Sequence, residues 1–580
     1  MIGLNKIGLN QVQLNRLRLN APFPAYGKMA GGGGSGDGFP QLPGDVTRWH
    51  FGGLTNEMMA AMDDPRIEDV DHKGRFLSFK NFAWGGMSGV GGYTENYNSN
   101  KWYKAESRID ATWTYKSFNA RSIKDNRLAQ LFYQSSLSDT GFRVLSCTIK
   151  VSGLTDGQGI EYVSNGTQQF VIMRIENDGI YHLPSFDFGA KNAYYGFKFL
   201  KLQESCNITI EQLPLYPGFI LGDGVDDFAV TEKELNFEDT YTVYTAFIPF
   251  QNNPARNMIL CGADSKKTFS MQYSSLVYVS FIAGNNYYIN ADFVNGLNLF
   301  ACKRNGNNIC IKNLLTNKVV TGTCGDWVEN AGLYYLWKNA TYASFARAGI
   351  AGQIIDNGHF TTDEEDENIL NWHKKQYPWL FPDQAWTVTG KTNEDEDRAT
   401  IANITGNGND LVLSNFGFAE GSGYNEEGEY AGYLVTDGVD DKITSSDFKM
   451  GKDFTIVGDW KFIIDENKGC GLVKVPKLYI YNSKTGLDIY INSNSIKNIL
   501  SGIKGLNAVC SDGRVYDCNW NEISVKYGNM VDINSSFLIA NSGNIFTKMA
   551  FKNLGIYNNQ LLSKDDCIKA YNYLQTLKAK

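Results

Sequence analysis

Two short stretches of this chain concentrate its best cation-binding chemistry: Leu-Gly-Asp-Gly-Val-Asp-Asp at 221–227 and Val-Thr-Asp-Gly-Val-Asp-Asp at 435–441. Asp223, Asp226 and Asp227, and again Asp437, Asp440 and Asp441, offer hard carboxylate oxygens within one turn, the ligand type that calcium takes. The same spacing also serves structure. An Asp-Gly pair makes a tight turn, and the Asp that follows accepts bonds from nearby backbone amides. The sequence favours the turn reading, and calcium is the one cofactor it brings into view.

Other groups carry less. Glu394, Asp395, Glu396 and Asp397 are spaced closely enough for a glycosidase pair, which needs two carboxylates converging on a sugar. They sit in KTNEDEDR, a polar run with no apolar strand positions around it, and read as a solvated loop. Asp363 to Glu367 fall in the first turn of an expected helix, where carboxylates favour its dipole. His50, His72, His182, His359 and His373 are isolated in sequence and read as packed or exposed. Tyr194, Tyr195, Tyr287 and Tyr288 could stack on sugar faces or fill a core, and the sequence does not decide between them. No catalytic constellation emerges, so the chain reads as a non-enzyme.

The elements that must position these residues follow from composition and period. The chain has 580 residues, 43% hydrophobic and 20% charged, with a net charge of −8. That length exceeds one core and supplies enough apolar surface for several. No basic stripe suits a phosphate backbone, which excludes nucleic acid, and no apolar run spans a membrane. The start lacks an uninterrupted apolar signal segment, so synthesis in a cytoplasm is expected. The ten cysteines show no metal-ligand spacing. Cys302 and Cys310 flank Asn305-Gly306, and Cys510 and Cys518 flank Asp512-Gly513. As two-residue turns these place Cys302 opposite Ile309 and Cys510 opposite Val515, which favours buried thiols over disulfides.

Apolar residues alternate at Cys147, Ile149 and Val151 and at Cys206, Ile208 and Ile210, with Gly, Asn and Asp punctuation between such runs. The expected fold class is all-β, tandem β-sandwich or jelly-roll modules with few short helices. Three internal matches locate the units. The acidic turns recur; YTVYTAF from Tyr241 matches FTIVGDW from Phe454; and GQIIDNGHFTTDEE from Gly352 pairs without gaps with LGIYNNQLLSKDDC from Leu554. In the last match Thr361 or Ser563 is expected to cap a helix, with Glu364 or Asp566 as capping-box partner. Those helices carry Ile369, Leu370 and Trp372, and Ile568, Tyr571 and Leu574, toward their sheets. A further match joins LSFKNFAWGGMSG from Leu77 to LVLSNFGFAEGSG from Leu411. The expected order is a small β module at 45–105, a β-sandwich at 106–215, a jelly roll at 216–381, a linker and second small module at 382–427, and a second jelly roll at 428–580.

Ahead of these stands a five-residue repeat, IGLNK, IGLNQ, VQLNR, LRLNA. Ile2, Ile7, Val12 and Leu17 form one apolar phase, and Leu4, Leu9, Leu14 and Leu19 another. A period of five matches neither a helix nor a strand, so short extended pieces joined by bends are expected. Such a segment has no core of its own and needs a partner surface. Residues 1–26 therefore read as a docking segment, tied to the body by a glycine-rich tether at 27–44.

The acidic turns, the Phe-Thr-Ile strand and the Ile-Tyr-Asn-x-x-Leu-Ser-x-Asp-Asp end resemble laminin-G/concanavalin-A-like jelly rolls. ATIANITGNGNDLVLSNFGF together with GFILGDGVDD and YLVTDGVDD resembles virion structural proteins of tailed phages of gut Bacteroidales, crAss-like phages among them. The resemblance implies a capsid- or tail-attached fibre, docked through residues 1–26 to other virion proteins. It further implies a homo-oligomer, with a trimer favoured, whose jelly rolls contact host-surface glycan. The rival expectations are an internal virion connector without ligand and a bacterial surface glycan-binding protein.

Overall fold

A computed structural model describes residues 38–579, apart from stretches within that span that include 124–128, 135–142, 188–193, 201–206, 251–256, 263–268, 339–344, 464–469, 497–504 and 525–532. The expected docking repeat, from Ile2 to Leu19, lies outside the described residues. The all-β expectation holds. Antiparallel sheets make up the body, and the described helices are Asn56–Ala60, Asp363–Gln376, Lys564–Thr576 and a short turn at Pro378–Leu380. Among the described residues no helix is long and apolar enough to cross a membrane.

The first jelly roll packs two eight-stranded sheets face to face. Strand Ala348–Asn357 lies at the centre of one, with Thr240–Pro249 on one side and Ile220–Leu221 and Asp45–His50 on the other. The facing sheet pairs Arg66–Glu68 with Phe76–Lys80, and Phe76–Lys80 with Phe228–Thr231. Trp49, Phe51, Leu77, Phe79, Tyr241 and Trp337 fill the space between them. The second jelly roll repeats this plan. Met549–Asn558 is flanked by Phe454–Phe462 and by Tyr433–Val435 and Gln384–Thr387, and Leu411–Ser414 pairs with Lys442–Met450 in the facing sheet.

The expected small modules at 45–105 and 382–427 are therefore not separate from the jelly rolls. Apart from Trp102–Lys104, their strands hydrogen-bond into those sheets. Period-2 alternation reveals a strand's faces but not its partner, and here the partners lie far along the chain. Each repeat consists of an early set of strands closed by a later set. The correspondence is detailed: Trp49 Nε1 donates to the Arg75 carbonyl at 3.1 Å and Trp386 Nε1 to that of Asn409 at 2.9 Å. Asn56 bonds both the amide and the carbonyl of Val90, and Asn393 both of those of Tyr424. Beside them Gly89 and Gly423 have φ of 132° and 156°, and an added Cβ would come within 2.4 Å of Asn56 Oδ1 and 2.5 Å of Asn393 Oδ1. Only glycine fits there.

The repeats differ in one connection. In the second, only seven residues separate Gly423–Asn425 from Tyr433–Val435, whereas between Gly89–Val90 and Ile220–Leu221 the first builds an entire β-sandwich of two five-stranded sheets. This is the sandwich expected at 106–215, now seen as an insertion. It begins earlier than expected, because Trp102–Lys104 is already one of its strands and Tyr97 and Trp102 join Phe118 and Phe197 in its core.

Strand pairing also corrects the ungapped match near the repeat ends. Thr242 faces Asp356 while Thr455 faces Tyr557, so Asp356 corresponds to Tyr557 and the match had slipped by one residue. The caps move with it. Thr362, not Thr361, caps the first helix: its Oγ1 accepts from the Glu365 amide at 3.2 Å, and Glu365 accepts from the Thr362 amide at 2.7 Å. Ser563 caps the second as expected, accepting from the Asp566 amide at 3.1 Å. Ile369, Trp372, Ile568, Tyr571 and Leu574 are buried, and Leu370 packs beside them half-buried. The cysteine registers shift as well. Asn305 pairs with Asn308, so the turn is Gly306-Asn307 and Cys302 faces Ile311; Val509, not Cys510, faces Val515. Gly306, with φ 56°, takes the left-handed position that the hairpin turn requires. Among the described residues, Cys302, Cys310, Cys510 and Cys518 form no disulfide.

Both terminal helices lie in a seam between the jelly rolls, where one apolar cluster holds Ile369, Trp372 and Trp379 of the first repeat and Tyr557, Tyr571 and Leu574 of the second. Tyr557 donates to the Trp379 carbonyl at 2.8 Å, and the Leu297 amide donates to the Tyr573 hydroxyl at 2.9 Å. The insertion joins the same seam: Asn572 donates to the Pro214 carbonyl at 3.3 Å, and the His182 ring meets Tyr571 edge-on at 5.9 Å.

Candidate functional site

The six sequence-predicted aspartates form two turns with the same hydrogen bonds. Asp223 Oδ1 accepts from the amides of Val225 at 2.7 Å and Asp226 at 3.4 Å, while Asp227 Oδ2 accepts from the Asp223 amide at 2.9 Å. Asp437 Oδ1 does the same for Val439 and Asp440 at 2.7 and 3.3 Å, and Asp441 Oδ2 accepts from Asp437 at 2.7 Å. Val225 and Val439 stand 70% and 66% exposed at the tips, so each turn faces solvent above a buried carboxylate. Burial pushes Asp227 up to about 7 and Asp441 up to about 6. Each triad brings its carboxylate oxygens within 4.8 Å of one another, a spacing a divalent cation could bridge. The oxygens named above accept from backbone amides, the bonding that an Asp-Gly turn uses.

Sequence reasoning missed the residues that hold these turns. Asn81 and Asn415, in left-handed conformations with φ 69° and 68°, donate to the carbonyls of Asp226 and Asp440, each at 3.0 Å. Ser422 Oγ donates to Asp441 Oδ1 at 3.0 Å, and Ser88 lies against Asp227. Their signal was present in the shared Asn-Phe and Ser-Gly of the matched stretches.

Beside the seam, the second repeat opens a polar cleft of about 350 Å³ lined by Asp383, Gln384, Asn407, Asn409, Asp447, Lys449, Ile556 and Asn558. Asn407 Nδ2 bonds the Asp383 carbonyl at 3.0 Å, and the Asn558 amide bonds Asp383 Oδ2 at 2.6 Å. At the corresponding place in the first repeat stand Lys73 and Arg75. Both pair with Asp45, and Lys73 also donates to the Val46 carbonyl at 2.6 Å. Long cationic side chains thus cover in one repeat the strand that short carboxamides line in the other.

The remaining candidates have structural roles. Asp395 accepts from the amide and hydroxyl of Thr392, each at 2.9 Å, and Asp397 pairs with Lys391 at 2.5 Å, so the Glu394–Asp397 run is loop chemistry. Asp366 is buried in a clamp: Lys303 Nζ reaches it at 2.7 Å, Lys312 Nζ at 3.1 Å and the Tyr244 hydroxyl at 2.9 Å. Burial drives His182 and His373 down to about 3, which keeps both neutral. His72 and His359 pair with Glu68 and Glu365, and the His50 ring packs on Trp372 and Tyr377. Tyr195 is buried and donates to Glu95 at 2.5 Å; the side chains of Tyr194, Tyr287 and Tyr288 lie outside the described residues.

Compared with known proteins, the chain matches no family profile and no curated protein. Solved structures similar to parts of it include the Ca2+-bound exoplasmic/lumenal domain of VIP36, at 9% identity over 26% of this chain and 83% of that one, with a TM-score of 0.20. The binding domain of botulinum neurotoxin DC in complex with SialylT aligns at 11% identity over 58% and 87%, TM-score 0.25. That of serotype D aligns at 11% over 60% and 89%, TM-score 0.25.

Proposed function

We propose that this chain is a non-enzymatic structural protein of a phage particle. In this reading residues 1–26 anchor it to other virion proteins, it assembles as a homo-oligomer, and its jelly rolls are presented as one body to host-surface glycan. The observation that carries the reading is the seam. Both terminal helices and both repeats share one buried cluster, against which Ile180 and Leu213 of the insertion pack, which suits a part that transmits load and not one that opens around a substrate. For glycan contact the support is the cleft of the second repeat, whose carboxamides and carboxylates match the donor and acceptor pattern of sugar hydroxyls.

A glycan array probed with the whole chain tests adhesion, with Asn407→Lys as the control because it supplies the side chain that covers the first repeat's strand. Binding that falls about tenfold or more in that variant supports the cleft. An array silent for the unaltered protein removes the glycan and leaves an internal connector. Deleting residues 1–26 tests the anchor: the truncated chain should be lost from purified particles, and its retention there would refute docking through that segment.

A further inference from the structure

The second repeat carries two thiols where the first carries an ion pair. Thr242 faces Lys303 across the ladder, as Thr455 faces Cys510. Counted from the caps Thr362 and Ser563, Asp366 and Cys567 occupy the same helical position. In the first repeat Lys303 and Asp366 meet at 2.7 Å and bind helix to sheet. In the second, Cys510 and Cys567 are both 0% exposed and lie thiol to thiol in hydrogen-bonding contact. The Thr455 hydroxyl stands 3.8 Å from Cys510 Sγ.

We propose that Cys510 and Cys567 are an oxidisable pair whose disulfide would tie the terminal helix Lys564–Thr576 to strand Gly505–Cys510, as a covalent counterpart of the first repeat's ion pair. The Thr455 hydroxyl donates toward Cys510 Sγ and the Arg514 charge lies near it, contacts that favour a thiolate on Cys510 and make it the attacking sulfur. Because both are buried, the oxidant must be small, and hydrogen peroxide fits. The Cys510 thiolate attacks one peroxide oxygen, the O–O bond breaks, and hydroxide leaves and takes up the proton Cys510 gave. The Cys567 sulfur then displaces water from the resulting sulfenic acid and closes the S–S bond. In sum, two thiols and one peroxide give one disulfide and two waters. Cys518, the neighbour in sequence, is only partly buried.

The test treats the full chain with hydrogen peroxide, blocks remaining thiols with iodoacetamide and maps peptides by mass spectrometry. A cross-linked pair containing Cys510 and Cys567, lighter by two hydrogens, is expected. It should come with a rise of about 5–10 °C in the melting transition that dithiothreitol reverses. Cys567→Ser should retain the circular dichroism of the parent, give no cross-link and leave Cys510 as a dimedone-reactive sulfenic acid. Carbamidomethylation of both cysteines after treatment, or a cross-link to Cys518 instead, overturns the proposal. Should Cys567→Ser fail to fold, the map of the unaltered protein decides alone.

Discussion

The two repeats hold their terminal helices to the same sheet positions by different chemistry. In the first, Tyr244, Lys303, Lys312 and Asp366 form a buried polar clamp. Strand registers place Val457, Cys510 and Tyr516 at the three strand positions of the second, where with Cys567 they belong to the apolar cluster. The ladder, the caps and the central strand are unchanged by the exchange. A buried ion pair is thus not what specifies this topology. It is an addition that becomes expensive only when half of it is removed.

The sharpest way to break the comparison is to remove one partner from each lock. Asp366→Ala strands Lys303 and Lys312 without a buried carboxylate and should cost about 3–5 kcal/mol in urea unfolding. Cys567→Ala should cost about 1 kcal/mol. Equal costs would show that the clamp is not what distinguishes the repeats. Next come the matched asparagines: Asn56→Ala and Asn393→Ala each leave a buried strand amide and carbonyl without their side-chain partner, and each should lose about 1–3 kcal/mol. A cost confined to one of them would contradict the correspondence of the two repeats. Ser422→Ala, which removes the hydroxyl donor to Asp441, should cost about 1 kcal/mol.

The smallest effect is a dependence on pH. Asp227 and Asp441 are raised on folding above the unfolded carboxylate value of about 4. The folded state therefore holds protons that the unfolded state has lost. Their contribution to stability is complete below about pH 4 and is lost as pH rises through about 7 for Asp227 and about 6 for Asp441. Asp227→Asn keeps an oxygen for the Asp223 amide and should flatten the decline over the wider window, Asp441→Asn over the narrower. Unfolding curves at pH 5 and pH 7 separate them, and identical slopes in both variants and the parent would exclude titration at these turns.

What the sequence made legible was local and repeated. The acidic turns, the alternating strands and the Asn-Phe to Ser-Gly match all recur in register, because each reflects a backbone requirement satisfied within a few residues. What it concealed was pairing. Asp45–His50 looks complete as a strand, yet its neighbour is Ala348–Asn357, and nothing in either stretch names the other. The slipped match at the repeat ends has a related cause. Letters such as Ile, Asn and Asp recur on both sides of the turn, while the ladder fixes which of them share a face. The clamp was invisible for a third reason. Lys303 and Lys312 occupy alternating strand positions that read as solvent-facing until the helix carrying Asp366 covers them.

In both repeats the last strand made is the one at the centre of its sheet, Ala348–Asn357 and Met549–Asn558, and each pairs with the earliest strand of its own repeat. During synthesis neither sandwich can close until nearly all of its sequence has left the ribosome, and strands such as Asp45–His50 and Thr240–Pro249 wait until then for the central strand they pair with. The insertion contains all of its own partners, so it can fold while the jelly roll around it is still incomplete. The order of folding is then inside out: the guest domain first, its host next, and the second repeat last, when its final strand and helix complete the seam that joins all three.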